Sequence, residues 1–137
     1  KQINMAIIKG VIVNDGGAPA RIINLEAGEA IEAGEALKMH TDGLVMLATS
    51  NLIPVIGYAL TDTAINDLVS IVTGKGCILN VVTDAVVRGD QLSVDAAKPG
   101  FLETATGYVD GTAEDKICAI ALETNATTDT MTKVMVL

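Results

Sequence analysis

The chain is written in short apolar runs divided by glycine-rich and polar breaks. Residues 3–13 are rich in Ile, Val and Met and stop at Asn14-Asp15-Gly16-Gly17, residue types that tolerate the positive φ of a tight turn. Residues 21–25 read as a second strand. The stretch 26–37 has the Ala and Glu content of a helix, but Gly28 and Gly34 interrupt it, each costing about 1 kcal/mol in a helix interior. It reads instead as two tight Ala-Gly-Glu turns carrying short strands. Leu37-Lys38-Met39 and Leu44-Val45-Met46-Leu47 are strands joined by a turn at Thr41-Asp42-Gly43. Residues 53–60 follow, with Pro54 near the start, where a missing N–H is tolerable. Residues 61–67 are polar enough for a loop or one helical turn, and 67–73 form a strand that Gly74-Lys75-Gly76 ends. Residues 77–83 and 85–87 are strand-like, and the chain closes on a strand over 131–137. About ten short strands, with turn signals every 8 to 12 residues, predict a mainly β, compact barrel- or sandwich-like domain with little helix.

The pattern also repeats. Gly34-Glu35-Ala36-Leu37-Lys38-Met39 is answered by Gly89-Asp90-Gln91-Leu92-Ser93-Val94, and Asp42-Gly43-Leu44-Val45 by Pro99-Gly100-Phe101-Leu102. Ile56-Gly57-Tyr58-Ala59-Leu60 finds its counterpart in the run 117–122, and 68–72 in 132–136. The offset is 55 residues at the start and about 60 at the end, so the second copy carries a small insertion, the polar stretch 107–116. Two copies point to one duplicated β-unit rather than a solenoid, which needs three or more. The expected organisation is an N-terminal arm or first strands over 1–25, then a single β domain over 26–137 with the repeat at about 34–72 and 89–136.

Composition narrows the partners. A chain of 137 residues can bury roughly two-thirds of its unfolded surface, enough for a core without staples. Half of it is apolar, yet Tyr58, Phe101 and Tyr108 are its whole aromatic content, so the core is aliphatic. The formal charge of −8 and nine dispersed basic residues make no stripe for a phosphate backbone, which excludes nucleic acid and an anionic membrane surface. No run approaches the ~18 apolar residues of a membrane span. The opening on Lys1, without an initiator Met, is read as a processed or trimmed N-terminus.

No constellation of catalytic residues emerges. His40 is the single histidine, which leaves no partner for a His-rich metal site or a Ser-His-Asp triad. Cys77 and Cys118 lie inside apolar runs and read as buried reduced thiols rather than nucleophiles or a disulfide. Gly74-Lys75-Gly76 lacks the Walker spacing and is followed by a β run. Asp110, Glu114 and Asp115 lack EF-hand spacing and read as a solvated acidic loop. Asn125-Ala126-Thr127 is a glycosylation pattern that has meaning only in a secreted eukaryotic chain. An enzyme would require converging carboxylates such as Asp62, Asp67 and Asp110. No cofactor and no metal is expected.

Two resemblances follow from these residues. Glu35-Ala36-Leu37-Lys38-Met39 is similar to the Glu-Ala-Met-Lys-Met of biotin carrier domains, in which the lysine is modified; Leu37 replaces the Met, and the second copy has Leu92-Ser93-Val94 there. The Gly-Glu/Asp-x-Leu turn, the Ile-x-x-Ala-Leu run and the closing Val-x-Val strand resemble the head decoration (cement) proteins of tailed bacteriophages, of the small β-tulip type. This second resemblance spans residues 27–136 and rests on the order and repetition of its motifs. It implies a non-enzymatic β-barrel-like domain, trimeric on the outer capsid surface of the virion, where it clamps the major capsid protein. The alternatives are another structural β module of a phage tail or surface assembly and, remotely, a carrier on Lys38. The first run supplies the expected interaction residues, Ile3, Met5, Ile7, Ile8, Val11 and Val13, either as an arm that adds a strand to a neighbour's sheet edge or as an ordinary first strand.

Overall fold

The computed structural model describes residues 21–105, 116–128 and 130–137, together with the main chain of 12–14. Among the described residues there are eleven strands and no helix. They are β1 (Ile12–Asn14), β2 (Ile22–Glu26), β3 (Ala36–Met39), β4 (Val45–Leu47), β5 (Gly57–Ala59), β6 (Leu68–Val72), β7 (Ile78–Thr83), β8 (Gln91–Val94), β9 (Leu102–Thr104), β10 (Ala119–Ala121) and β11 (Thr130–Val136). One sheet has the order β2-β6-β5-β3-β4 and the other β1-β7-β11-β10-β8-β9.

Each sheet curls until its first and last strands touch. Ala27, just past β2, forms a parallel bridge with Val45 of β4, and Thr83 at the end of β7 forms one with Leu102 of β9. The Gly28 N–H donates to the Val45 carbonyl at 2.8 Å, and the Asp84 N–H to the Leu102 carbonyl at 2.9 Å. The result is two five-stranded barrel-like sheets, with β1 as an extra strand on the outer edge of β7. Closure of this kind pairs the ends of the outer strands, Ala27 with Val45 and Thr83 with Leu102.

The two sheets repeat one pairing plan, register by register. Leu37 faces Leu47 and Gly57 in the first, and Leu92 faces Thr104 and Ala119 in the second. Ala59↔Ile71 is matched by Ala121↔Val134, and Leu25↔Val69 by Val81↔Thr132. The turns explain why. Gly34 and Gly89 adopt φ of 89° and 91°, a region closed to most side chains, and their N–H groups donate to the Ala59 and Ala121 carbonyls at 2.8 Å. The acid that follows each glycine then ties the turn from its other side. Glu35 accepts the Glu32 N–H at 2.6 Å, and Asp90 accepts the Val87 N–H at 2.9 Å. The equivalence also reaches one strand upstream of these glycines, where Ile22-Ile23-Asn24-Leu25 of β2 matches Ile78-Leu79-Asn80-Val81 of β7.

Inward-facing aliphatics fill each barrel. Ile31, Leu37, Val45, Val69 and Ile71 are buried in the first. The second holds Leu79, Val81, Leu92, Leu102 and Val134, and its cluster also takes in Ala36, Ala48, Tyr58 and Val72 of the first unit. Main-chain bonds cross the same boundary, from the Val82 N–H to the Gly34 carbonyl at 2.9 Å and from the Ala36 N–H to the Gly100 carbonyl at 2.8 Å.

Two local expectations shift and a third resolves. Residues 85–87 are not a strand: Val86 alone bridges to Asn125, as Ile31 bridges to Thr63 in the first unit. Residues 61–67 take the loop, rather than the helical turn, of the two forms expected there, with the Ile31–Thr63 bridge inside it. The run 53–60 narrows to β5, because Pro54 offers no N–H and Ile53 is turned to solvent.

Candidate interaction surface

The residues that sequence chemistry singled out are dispersed and structurally engaged. His40 is exposed in the β3–β4 turn, its Nδ1 3.0 Å from Oδ1 of Asp42. The Leu44 N–H, donated at 3.0 Å, holds the Asp42 carboxyl below its ordinary range. Cys77 and Cys118 are both buried and are not joined in a disulfide, and burial pushes the Cys118 thiol up. A thiol held protonated in apolar surroundings is a poor nucleophile. Lys38 lies within β3 opposite Met46, and its Nζ donates to Thr49 Oγ1 at 2.8 Å.

Asp62 accepts the Ala33 N–H at 2.8 Å, Asp67 is exposed, and Asp110 lies outside the described residues. The Asp110, Glu114 and Asp115 set lies outside them as well. Gly74-Lys75-Gly76 is the tight connection from β6 to β7, with the Gly76 N–H donating to the Val136 carbonyl at 2.8 Å. The amide nitrogen of Asn125 is bound to Thr132 Oγ1 at 3.0 Å and to the Thr130 hydroxyl, so it serves the fold rather than a glycan.

A cluster that the sequence did not announce forms where the second barrel closes. Carboxylate oxygens of Asp84, Asp95 and Glu103 lie within 4.8 Å of one another, and Lys98 Nζ donates to Asp84 Oδ1 at 2.7 Å. Burial, and then the hydrogen bond with Asp95, push the Asp84 carboxyl up. Burial alone would raise Asp95 too, but the bonds from Asp84 and from the Ala97 N–H at 2.9 Å hold it below its ordinary range. Of the two, Asp84 is therefore the carboxyl that takes up a proton first as pH falls, while the Lys98 ammonium lies against it. No spacing motif could have found this group, because its members come from the ends of β7 and β8 and from β9.

One pocket, of about 150 Å³, is lined by Val55, Tyr58, Lys75, Cys118 and Leu137 among others. That is well below the ~300 Å³ at which ordinary small-molecule sites begin. Apolar exposure is the more informative feature. Ile22 and Ile23 on β2 and Leu68 on its partner β6 are all open to solvent, as are Leu52 and Ile53 in the β4–β5 connection. Exposed aliphatics of this kind suit contact with another protein surface. Of the residues expected to make contacts, Ile3, Met5, Ile7, Ile8 and Val11 lie outside the described residues. Val13 falls in β1, whose main chain pairs with β7 of the same chain.

No family model matches the chain, and no curated protein matches it. Among solved structures the fold is similar to the head fiber gp8.5 N base of bacteriophage phi29. The TM-score is 0.64 over 87% of this chain and 95% of that one, at 17% sequence identity. At that identity the likeness is one of fold, and it takes in both barrel units rather than one.

Proposed function

We propose that the chain is a structural, non-enzymatic protein of a tailed-bacteriophage head, bound to the outer capsid surface as a decoration or cement protein. The observation that carries this reading is the likeness in fold to a head fiber base over 87% of the chain. The surface is consistent with it. Aliphatic side chains stand open on β2, β6 and the β4–β5 connection, while the Glu35 and Asp90 carboxylates are committed to turns. A capsid presents one surface many times by symmetry, so modest contacts repeated over a particle hold firmly. The proposed partners are the major capsid protein and further copies of this chain in a homotrimer. The excess of negative charge suits an exterior position, away from packaged nucleic acid.

The test is co-sedimentation of the purified chain with mature capsids of its own source that lack it. The expected result is saturable pelleting at a fixed number of copies per particle and greater resistance of the particles to heat. A chain that stays in the supernatant across the whole concentration range refutes the capsid role, and pelleting with tails instead reassigns it to a tail module.

A further inference from the structure

The internal repeat exposes an asymmetry. In the second unit, the outer edge of β7 is paired at its start and at its end. Antiparallel β1 covers its start, with Ile12 opposite Leu79 and Asn14 opposite Ile78. Farther on, the Val82 N–H donates to the Gly34 carbonyl, and Thr83 meets β9. In the first unit, β2 stands in the position of β7, and Ile22-Ile23-Asn24 is the counterpart of Ile78-Leu79-Asn80. Its outer edge meets β4 only at Ala27. Among the described residues no strand covers the edge over Ile22 to Asn24.

The bonds flanking β2 fix which of its groups are open. The Arg21 carbonyl accepts from the Thr73 N–H and the Ala27 N–H donates to Asp67, both toward β6, while the Gly28 N–H turns outward to Val45. By alternation, the N–H and C=O groups of Ile22 and Asn24 point outward, away from β6. Ile22 is 50% and Ile23 41% exposed, so neither face of the strand is hidden. Protected natural edges carry lysine, proline or a bulge, and β2 has none of these.

We infer that the outer edge of β2 at Ile22–Asn24 is a strand-acceptor site, occupied by the segment of residues 3–9 from a second copy of this chain. Two observations select that occupant. The matching edge on β7 already takes an Ile-Val-Asn strand from the same N-terminal region, so an edge in this position of the repeat accepts a strand of that chemistry. Residues 1–14 carry two lysines and no acid, against a chain of net charge −8 and a strand ending in Glu26, so the donor is drawn to the body of another copy. The inference does not depend on the capsid reading, since the exchange is between copies of this chain alone.

Sedimentation of the full chain, without capsids, tests it. The wild-type chain is expected to self-associate. Asn24→Pro removes one outward N–H and leaves the β6 ladder intact, Ile22→Lys guards the edge, and Ile7→Pro breaks the donor. Each should raise the dissociation constant by at least about tenfold with an unchanged far-UV circular dichroism spectrum. Should Asn24→Pro fail to fold, Ile22→Lys decides, because it leaves every main-chain group in place. Copies of different mass, one carrying Ile7→Cys and the other Asn24→Cys, should cross-link under mild oxidation. A monomeric wild-type chain, an association unmoved by Ile22→Lys, or a cross-link formed only within a chain bearing both cysteines overturns the inference. The last outcome would show that the chain's own N-terminus covers the edge. An edge engaged only when capsids are added also overturns it, and points to a capsid strand instead.

Discussion

At the scale of single residues, the fold leans on a few positions with no room for alternatives. Gly57 in β5 is one: a Cβ there would stand 2.3 Å from the Val72 carbonyl oxygen and 2.5 Å from Ile71 Cγ2. The carbonyl belongs to the neighbouring strand and cannot swing aside, so Gly57→Ala is expected to cost about 2–3 kcal/mol, read as a lower denaturation midpoint. Asp84 and Asp95 make a second prediction, in which the sign depends on pH. Asp84 has a raised carboxyl, so above the ordinary carboxyl value of 3.8 the folded state binds the proton more tightly than the unfolded state. Stability then rises as pH falls through the folded-state value toward 3.8. Asp95 is lowered, so its contribution is complete above 3.8 and is lost as pH falls below it. The pair therefore adds a local maximum near that value to the stability profile. Asp84→Asn keeps a donor for Asp95 and has no proton to gain, so the rise on acidification should vanish while the fall below remains. Denaturant midpoints at intervals between pH 7 and pH 2.5 would show it, and an unaltered profile would refute the shared proton.

At the scale of elements, the closure of the second barrel has a polar device inside it. Thr83 on β7 and Thr132 on β11 are buried with their hydroxyl oxygens 2.6 Å apart, and the Asn125 amide reaches Thr132 at 3.0 Å. Thr132→Val leaves the Thr83 hydroxyl buried without that partner, a loss of about 1–3 kcal/mol in unfolding free energy. Adding Thr83→Val should recover part of it, since two apolar groups replace a broken pair, and strictly additive losses would contradict the direct bond. The hairpins were legible in advance because their instructions are local. Gly34-Glu35 and Gly89-Asp90 each encode a left-handed glycine and an acid that accepts a main-chain N–H, and Thr41-Asp42-Gly43 does its work within three residues. The strand upstream was not recognised as part of the repeat. Ile22-Ile23-Asn24-Leu25 and Ile78-Leu79-Asn80-Val81 are two apolar runs among many until register pairs each with its closing strand. The Asp84, Asp95 and Glu103 cluster was illegible for a stronger reason. In the first unit the matching positions hold Gly28, His40 and Met46, so the repeat gave no hint, and only barrel closure brings the three carboxylates together.

At the scale of the whole molecule, two similar barrels could unfold one after the other or as one body, and the junction between them decides. Tyr58 of β5 belongs by sequence to the first unit, yet it is buried in the aliphatic cluster of the second. Its hydroxyl donates to the Cys118 carbonyl at 3.2 Å, and burial pushes its ionisation well above the ordinary value. Around it, main-chain bonds tie Val82 to Gly34, Ala36 to Gly100 and Gly100 to Ala48, each crossing from one unit to the other. These bonds cannot persist once either barrel opens, and the shared core would then lose one wall. The wild-type chain should therefore melt in a single calorimetric transition whose van't Hoff and calorimetric enthalpies agree. Tyr58→Phe, which removes one hydrogen bond and keeps the ring, should lower stability by about 0.5–1.5 kcal/mol without changing that agreement. Tyr58→Ala removes the ring itself from the shared wall. It should cost about 3–5 kcal/mol and split the transition, the van't Hoff enthalpy falling below the calorimetric one. Separate melting of the two units in the wild-type chain would mean that the junction is a contact rather than a coupling. A protein proposed to brace a capsid would gain from the coupled form, because load applied at an exposed edge such as β2 would then be borne by both barrels.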